Sequence, residues 1–411
     1  MQLQISYNNF LHFLFCAFAF LIPFEHVLEV YFGIETVLKP YRVAALMIIG
    51  LFLLRILRTG RFELRKDFRQ DFFLYFLFLY GIIITMFQIF LNEFSSKHFY
   101  NDSIQYFLYL AVFFVLKNTP LNLAQITRII WWMFAGIFLN TLYLFNNFYF
   151  LQNYERQSGF MDNPNYVAIS IVIAITFVVL QLSNVRSLLL RFLLLGLIVF
   201  LLLMLVIAGS RTGFAIFVIV GIFLLLFASW GKRLIIFSAM TLLFLVYTGQ
   251  SDAFDFGAPL ILFDRLNKIE STEDTRFHLW RGAYKAVLSS NFAGLGIGQF
   301  KTRFREFYLT IHEDTIYENV NRGGHLSAHS DYVAITVTYG LIGLFCYLLF
   351  LYRSMIYAFG NVFRTRIGQL GVHHQFCLMT LITLAVFGIT SENFNSAIYW
   401  MSLAISTKII S

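Results

Sequence analysis

The amino-acid sequence predicts an all-α fold, a polytopic transmembrane helical bundle of about twelve spans with one large external loop. Composition is the first reason: of 411 residues 59% are hydrophobic and only 13% charged, 51 are phenylalanine, and the mean hydropathy is +0.72. A water-soluble globule has no use for that much apolar surface. The second is length, because apolar runs of roughly 17–25 residues, enough to cross a hydrocarbon core of about 30 Å, recur along nearly the whole chain. The third is charge, which is unequally shared between alternate connections, as membrane topology requires.

Taken in order, the spans centre on 10–24, 41–57, 72–91, 103–116, 127–145, 165–182, 188–207, 212–229, 233–248, 331–352, 374–390 and 395–409. The first lacks a basic leader and a small-x-small cleavage site, so it reads as a retained helix rather than a signal peptide. Between spans two and three lies "RILRTGRFELRKDFRQD", and further basic links fall at 117–128, 186–191, "WGKR" and 353–366. The intervening short loops hold only Lys39, Arg42, Lys97, Arg156 and Arg211. Positive residues stay inside, so both termini are expected in the cytoplasm. The net charge of +8 is thereby spent on topology and calls for no nucleic-acid partner. Membrane lipids are the surroundings it fits. Cys16, Cys346 and Cys377 each fall within a span, which argues against a disulfide framework.

The chain is expected to form a single integral membrane domain, 1–411, within which residues 249–330 make one long external loop with ten acidic and nine basic residues. Ordered loops of that length usually bind or catalyse. In it, "STEDTRFHLWRGAYKAVLSS" reads as an amphipathic helix. Ser271 and Asp274 suit a capping box, and Phe277, Trp280, Tyr284, Val287 and Leu288 recur at helical spacing. Such a helix is expected to lie along the membrane surface. Arg276, one turn before Trp280, then falls near the face toward the bundle, and Arg281 and Lys285 point toward water. "FAGLGIGQF" follows as a glycine-rich turn. It follows no strand and faces a side that would hold no ATP or NAD, so it is not a phosphate loop and no cofactor is implied.

Chemistry-bearing residues gather on the external side. Arg211 in "IAGSRTGF" stands at the outer end of two apolar spans, where an ionisable group is expensive unless paired. It either holds an anion or snorkels to lipid phosphate. "FMDNPNYVA" sets Asp162, Asn163 and Asn165 around Pro164 at a helix start that suits either an anion or sugar hydroxyl, or simple capping. His329 opens the tenth span, flanked by His325, Ser330 and Asp331, and is either structural or a general base. His325 and His329 at i and i+4 would suit a metal, but no HExxH glutamate or nearby cysteine accompanies them. Glu392 falls on the same side. Two arginines suit phosphate oxygens and a histidine suits a hydroxyl, a combination that fits glycosyl transfer from a lipid-linked sugar pyrophosphate.

In "GSRTGF", "TRFHLWRGAYKAVLSSNFAGLGIGQF", "AHSDYVAITVTYGLIGL" and, more weakly, "DNPNYVA", the chain resembles the bacterial O-antigen ligase and O-antigen polymerase family over roughly residues 160 to 350. The resemblance implies a GT-C-type glycosyltransferase in the inner membrane, acting on the periplasmic side without a nucleotide sugar and, for the ligases, without a metal. It implies that Arg211 and Arg276 hold the donor pyrophosphate and that His329 activates the acceptor. Arg281, Asp162, Asn163, Asn165, His325 and Glu392 are the expected substrate-binding set. The donor implied is an undecaprenyl-pyrophosphate-linked oligosaccharide. The acceptor is a lipid-linked glycan for a polymerase or lipid A-core for a ligase, and a chain-length regulator is a further partner. The mixed charge of the loop, without a basic face for a phosphorylated core, leans toward polymerase. A transporter of lipid-linked sugars is the alternative from another class. It expects inverted repeats, broken helices and charges at mid-membrane depth, whereas these spans carry charge mainly near their ends.

Overall fold

Lipid offers no hydrogen-bond partner, so long apolar segments satisfy their backbone internally by coiling into helices. The computed structural model describes residues 2–32, 39–60, 68–91, 99–153, 157–161, 163–227, 231, 233–238, 240–241, 275–308, 328–365, 369–392, 394 and 396–410. They form α1 (Gln2–Leu21), α2 (Val27–Phe32), α3 (Pro40–Thr59), α4 (Phe68–Phe90), α5 (Phe99–Asn118), α6 (Leu123–Tyr149) and α7 (Pro164–Gln181). There follow α8 (Leu188–Ile207), α9 (Arg211–Phe227), α10 (Thr275–Ser289), α11 (Gln299–Tyr308), α12 (Asp331–Arg364), α13 (Gln369–Thr390) and α14 (Ala397–Ile410). No strand occurs among the described residues. The fold is all-α and polytopic.

Among the described residues, 8 helices are long and apolar enough to cross a bilayer, and α9 and α14 are shorter apolar helices. α5 fills the place of the fourth expected span, with the polar Asn101, Asp102, Ser103 and Gln105 in its first turns. The expected ninth span is helical at 233–238 and 240–241, and its remaining residues lie outside the described set. α6 begins earlier than its hydropathy suggests, because Asn122 and Gln125 form a reciprocal capping box. α12 runs well past residue 352, since Ser354, Ala358 and Val362 continue its buried stripe and Asn361 donates to the Ile410 carbonyl at 3.1 Å.

α7 and α13 form the centre: 78% of each span is buried, against 22% for α3. Leu188, Leu189, Phe192 and Leu193 of α8 stand exposed, a face that only lipid would cover. At the end of the bundle that the charge distribution assigns to the cytoplasm, Lys117 lies 3.4 Å from Asp71 and donates to Thr407 O at 3.0 Å. Lys408 donates to the Lys117 and Thr119 carbonyls at 3.1 and 2.7 Å. Both lysines occupy the last turns of α5 and α14, where a cation complements the helix dipole.

α12 is broken at Gly340, whose φ of 66° and ψ of −171° lie outside any helix. The freed backbone groups are taken by the glycine-rich turn before α11. Leu295 and Gly296 donate to the Val337 and Thr338 carbonyls at 2.8 and 3.0 Å, and Leu341 donates to Phe292 O at 3.1 Å. Gly294, at φ 97°, comes so close that a Cβ on it would fall 2.5 Å from the Gly340 nitrogen. The turn thus enters the bundle as an edge on the broken helix, where Ile297 N also reaches Thr85 Oγ1 at 3.0 Å. Irregular backbone at this depth is tolerable because protein satisfies it.

The buried face of α10 is Leu279, Ala283, Ala286 and Val287, packed on Val333, Ala334 and Val337 of α12 with Trp280 at its edge. Tyr284 and Leu288, expected on the apolar face, are instead exposed. The alanines decide the orientation, because small side chains let two helices approach.

Candidate functional site

Of the expected site residues, Asn163, Asn165, Arg211, His329 and Glu392 lie on segments that meet where α13 ends. Asn163 caps α7, its Oδ1 accepting from Asn165 N at 2.9 Å, with Pro164 at the first helical position. Asn165 then bridges outward: its Nδ2 donates to Ser391 Oγ at 3.4 Å, and its Oδ1 accepts from Ser210 Oγ at 2.8 Å. Ser210 in turn caps α9 by accepting from Gly213 N at 3.0 Å. Thr390 donates to Thr212 Oγ1 at 3.1 Å, and Tyr166 donates to the Glu392 carbonyl at 2.6 Å. Arg211, half-buried between Ser210 and Thr212, is the first residue of α9. A cation at the positive end of a helix dipole is unfavourable alone, and the two together favour an anion.

His329 approaches the same helix end from α12. Ser330 Oγ donates to Gly388 O at 3.1 Å and accepts from Val333 N as the cap of α12. Tyr332 donates to Ala385 O at 2.8 Å. On the other side Trp280 of α10 donates to Ala328 O at 3.0 Å. His329, held between these anchors, has a φ of 48°. Non-glycine residues adopt that left-handed conformation at a cost on the order of 1–2 kcal/mol, and such positions cluster at functional sites. Asp331, for which the sequence suggests no role, is wholly buried and accepts from Phe394 N at 2.9 Å. It fastens the start of α12 to the chain linking α13 and α14.

The N-termini of α7, α9 and α12 are therefore tied by side-chain hydrogen bonds to Gly388–Glu392. This brings Arg211, Asn163, Asn165, His329 and Glu392 to one end of the bundle. The backbone of Arg276 lies in the first turn of α10, three residues before Leu279, on the register that packs against α12; its side chain lies outside the described residues. Asp162 and His325 also lie outside them. Arg281 is exposed on the opposite face of α10. Among the described residues no group of three or more His, Cys, Asp or Glu could hold a metal ion.

A cavity not foreseen from sequence opens beside Ala328. Asp102, Tyr106, Phe300, Lys301, Thr338 and Glu392 line it, and Lys301 and Asp102 form an ion pair at 3.1 Å. No local motif links residue 102 to residue 301, so only the fold reveals the pair.

These features describe a polytopic helical membrane protein with a cluster of hydrogen-bonded polar residues at one end of the bundle. Residues 171–348 match the O-antigen ligase family model (Wzy_C). Over that segment, which is less than half of its length, the chain is similar to the O-antigen ligase family. The matched segment, from α7 into α12, contains Arg211, Arg276, Arg281, His325 and His329. No curated protein matches the chain.

Proposed function

We propose that the chain is a periplasmic-side membrane glycosyltransferase, an O-antigen polymerase that joins undecaprenyl-pyrophosphate-linked repeat units without a metal. One observation carries this reading: Arg211 and His329, remote in sequence, flank the same few residues at the end of α13 through the Thr212–Thr390 and Ser330–Gly388 hydrogen bonds. An anion-holding group and a proton acceptor are thereby set around one centre.

In this reading His329 takes the proton of the acceptor hydroxyl as its oxygen forms a bond to the anomeric carbon of the donor. The bond from that carbon to the pyrophosphate oxygen breaks, and its electron pair leaves with the lipid pyrophosphate. Arg211 and Arg276 stabilise that charge through planar, bidentate contacts that lysine cannot reproduce. The loop at 249–330, with Arg281 and His325, lies on the periplasmic side. Asp162, Asn163, Asn165 and Glu392 complete the substrate contacts.

Transfer of the finished chain to lipid A-core is the second reading, favoured by the description of the matching family as ligase. Lipopolysaccharide from a deletion strain separates the two. A core bearing a single repeat unit is expected for a lost polymerase, whereas bare core with accumulating lipid-linked polymer would replace that reading with the ligase.

A further inference from the structure

α10 carries apolar side chains on two sides. Leu279, Ala283, Ala286 and Val287 pack against α12, whereas Tyr284, Leu288 and, just past the helix end, Phe292 stand 62%, 41% and 45% exposed. Arg281, Tyr284, Lys285 and Leu288 fall at i, i+3, i+4 and i+7, so they share one face. That face is basic as well as apolar, and no acidic residue occurs in α10. Phe292 holds a left-handed φ of 63°, a conformation that is an outlier for a bulky residue. A large aromatic ring is thus kept, at a conformational cost, in an exposed place where glycine would be cheaper.

What covers the face follows from where it begins. Phe292 O accepts from Leu341 N at 3.1 Å, and from Leu341 the exposed side of α12 runs on through Phe345, Leu348 and Tyr352, at i, i+4, i+7 and i+11. That side belongs to a helix long and apolar enough to cross a bilayer, so lipid is its neighbour. The outer face of α10 starts where this lipid-facing stripe ends, and along it the residues grade from Phe292 and Leu288 to Lys285, Tyr284 and Arg281. This is the order from acyl chains to headgroups, with tyrosine at the interface and basic side chains reaching phosphate. A soluble acidic partner would suit the cations but not the continuity with the lipid-facing side of α12.

We propose that the outer face of α10 is a phospholipid-binding surface. Phe292, Leu288 and Tyr284 enter the leaflet at that end of the bundle, and Arg281 and Lys285 hold the phosphates of anionic phospholipids. The surface lies opposite the packed face of α10 and uses none of the groups assigned to the transfer step. Because Trp280 donates to Ala328 O at 3.0 Å, the same contact sets the height of the segment that carries His329.

The test places a bimane fluorophore at Leu288→Cys in the full-length protein, with the buried Cys16, Cys346 and Cys377 replaced by alanine, in phosphatidylcholine vesicles. Quenching is measured with iodide in the water and with phosphatidylcholine or phosphatidylglycerol bearing a nitroxide on the acyl chain. The lipid quenchers should dominate, as they should at the lipid-facing reference Phe345→Cys. Phosphatidylglycerol should outdo phosphatidylcholine at residue 288 by about fivefold or more, since each basic side chain near an anionic surface contributes about that factor. Arg281→Gln combined with Lys285→Gln should bring the two lipids to parity. Quenching by iodide alone would put the face in water, and protection from every quencher would mean that protein covers it. Equal quenching by the two lipids with both cations present would remove the phosphate contact; each of these three results overturns the proposal. Should the cysteine-free protein fail to fold, hydrogen exchange of the unmodified protein in nanodiscs decides. Amides of residues 281–292 should exchange several-fold more slowly with phosphatidylglycerol than with phosphatidylcholine alone, and equal exchange would overturn the surface.

Discussion

Replacing Gly340 with alanine should unseat the glycine-rich turn from α12 and abolish activity by a route that touches no catalytic group. The backbone there lies at φ 66°, ψ −171°, a region open in practice to glycine alone, and forcing another residue into it costs on the order of 1–3 kcal/mol. A Cβ would also meet Phe292 O at 2.3 Å and the Ala293 carbonyl carbon and oxygen at 2.5 Å. Relief requires the turn to withdraw, which breaks the Leu295–Val337, Gly296–Thr338 and Leu341–Phe292 hydrogen bonds at about 1 kcal/mol each. Together the loss is about 4–6 kcal/mol, comparable to the whole stability of many domains. Gly196→Ala is the control, because a Cβ there has nothing within 4 Å and alanine favours a helix. Thermal unfolding in detergent, followed by retention of a monodisperse peak, should show a large drop for Gly340→Ala and none for Gly196→Ala. Transfer activity should fall in parallel. A Gly340→Ala protein as stable and active as the wild type would refute the reasoning that the break holds the turn.

Further predictions concern charge. Arg211→Lys keeps the cation but loses the planar fork, so turnover should fall; Arg211→Ala should be worse, and Arg281→Ala milder than Arg276→Ala. Normal transfer by a well-expressed Arg211→Ala protein would reduce the residue to a lipid anchor. A reporter active only in the periplasm should work when fused after Ser271 and be silent after Ser411, and activity after Ser411 would reverse the assignment of sides. Lys408→Met should lower stability by about 2–4 kcal/mol, because the Lys117 and Thr119 carbonyls lose their buried donor. An unchanged melting temperature would show that those carbonyls find other partners.

Much of the bundle was legible because lipid enforces it. α8 occupies residues 188–207 as read, since an apolar run broken only by Arg191 in its first turn is bounded by Ser187, which caps it, and by the turn before Ser210. Arg211, Asn165 and His329 were legible as polar residues at the ends of apolar spans, where burial without purpose is expensive. The orientation of α10 was less so: hydropathy ranks Tyr284 and Leu288 above Ala283 and Ala286, while close packing on α12 selects the alanines. The break at Gly340 was hidden inside an apolar run, because its cause is the turn at 292–296 rather than anything local. Asp102 and Lys301 stand 199 residues apart, and Asp331 is explained only by a backbone amide beyond α13. No spacing rule reaches such pairs.

The most direct measurement is the transfer rate of purified His329→Ala beside wild type and His325→Ala, across pH and with chelator present, with donor binding recorded separately. General-base assistance is typically worth about 10²–10⁴-fold, so His329→Ala should lose most of its turnover while binding donor normally, and His325→Ala should be milder. A base must be unprotonated, so the wild-type rate should climb with rising pH, and the climb should vanish in His329→Ala. An active His329→Ala enzyme, or a wild-type rate that collapses in chelator and returns with zinc, would contradict the assignment of His329 as the proton acceptor.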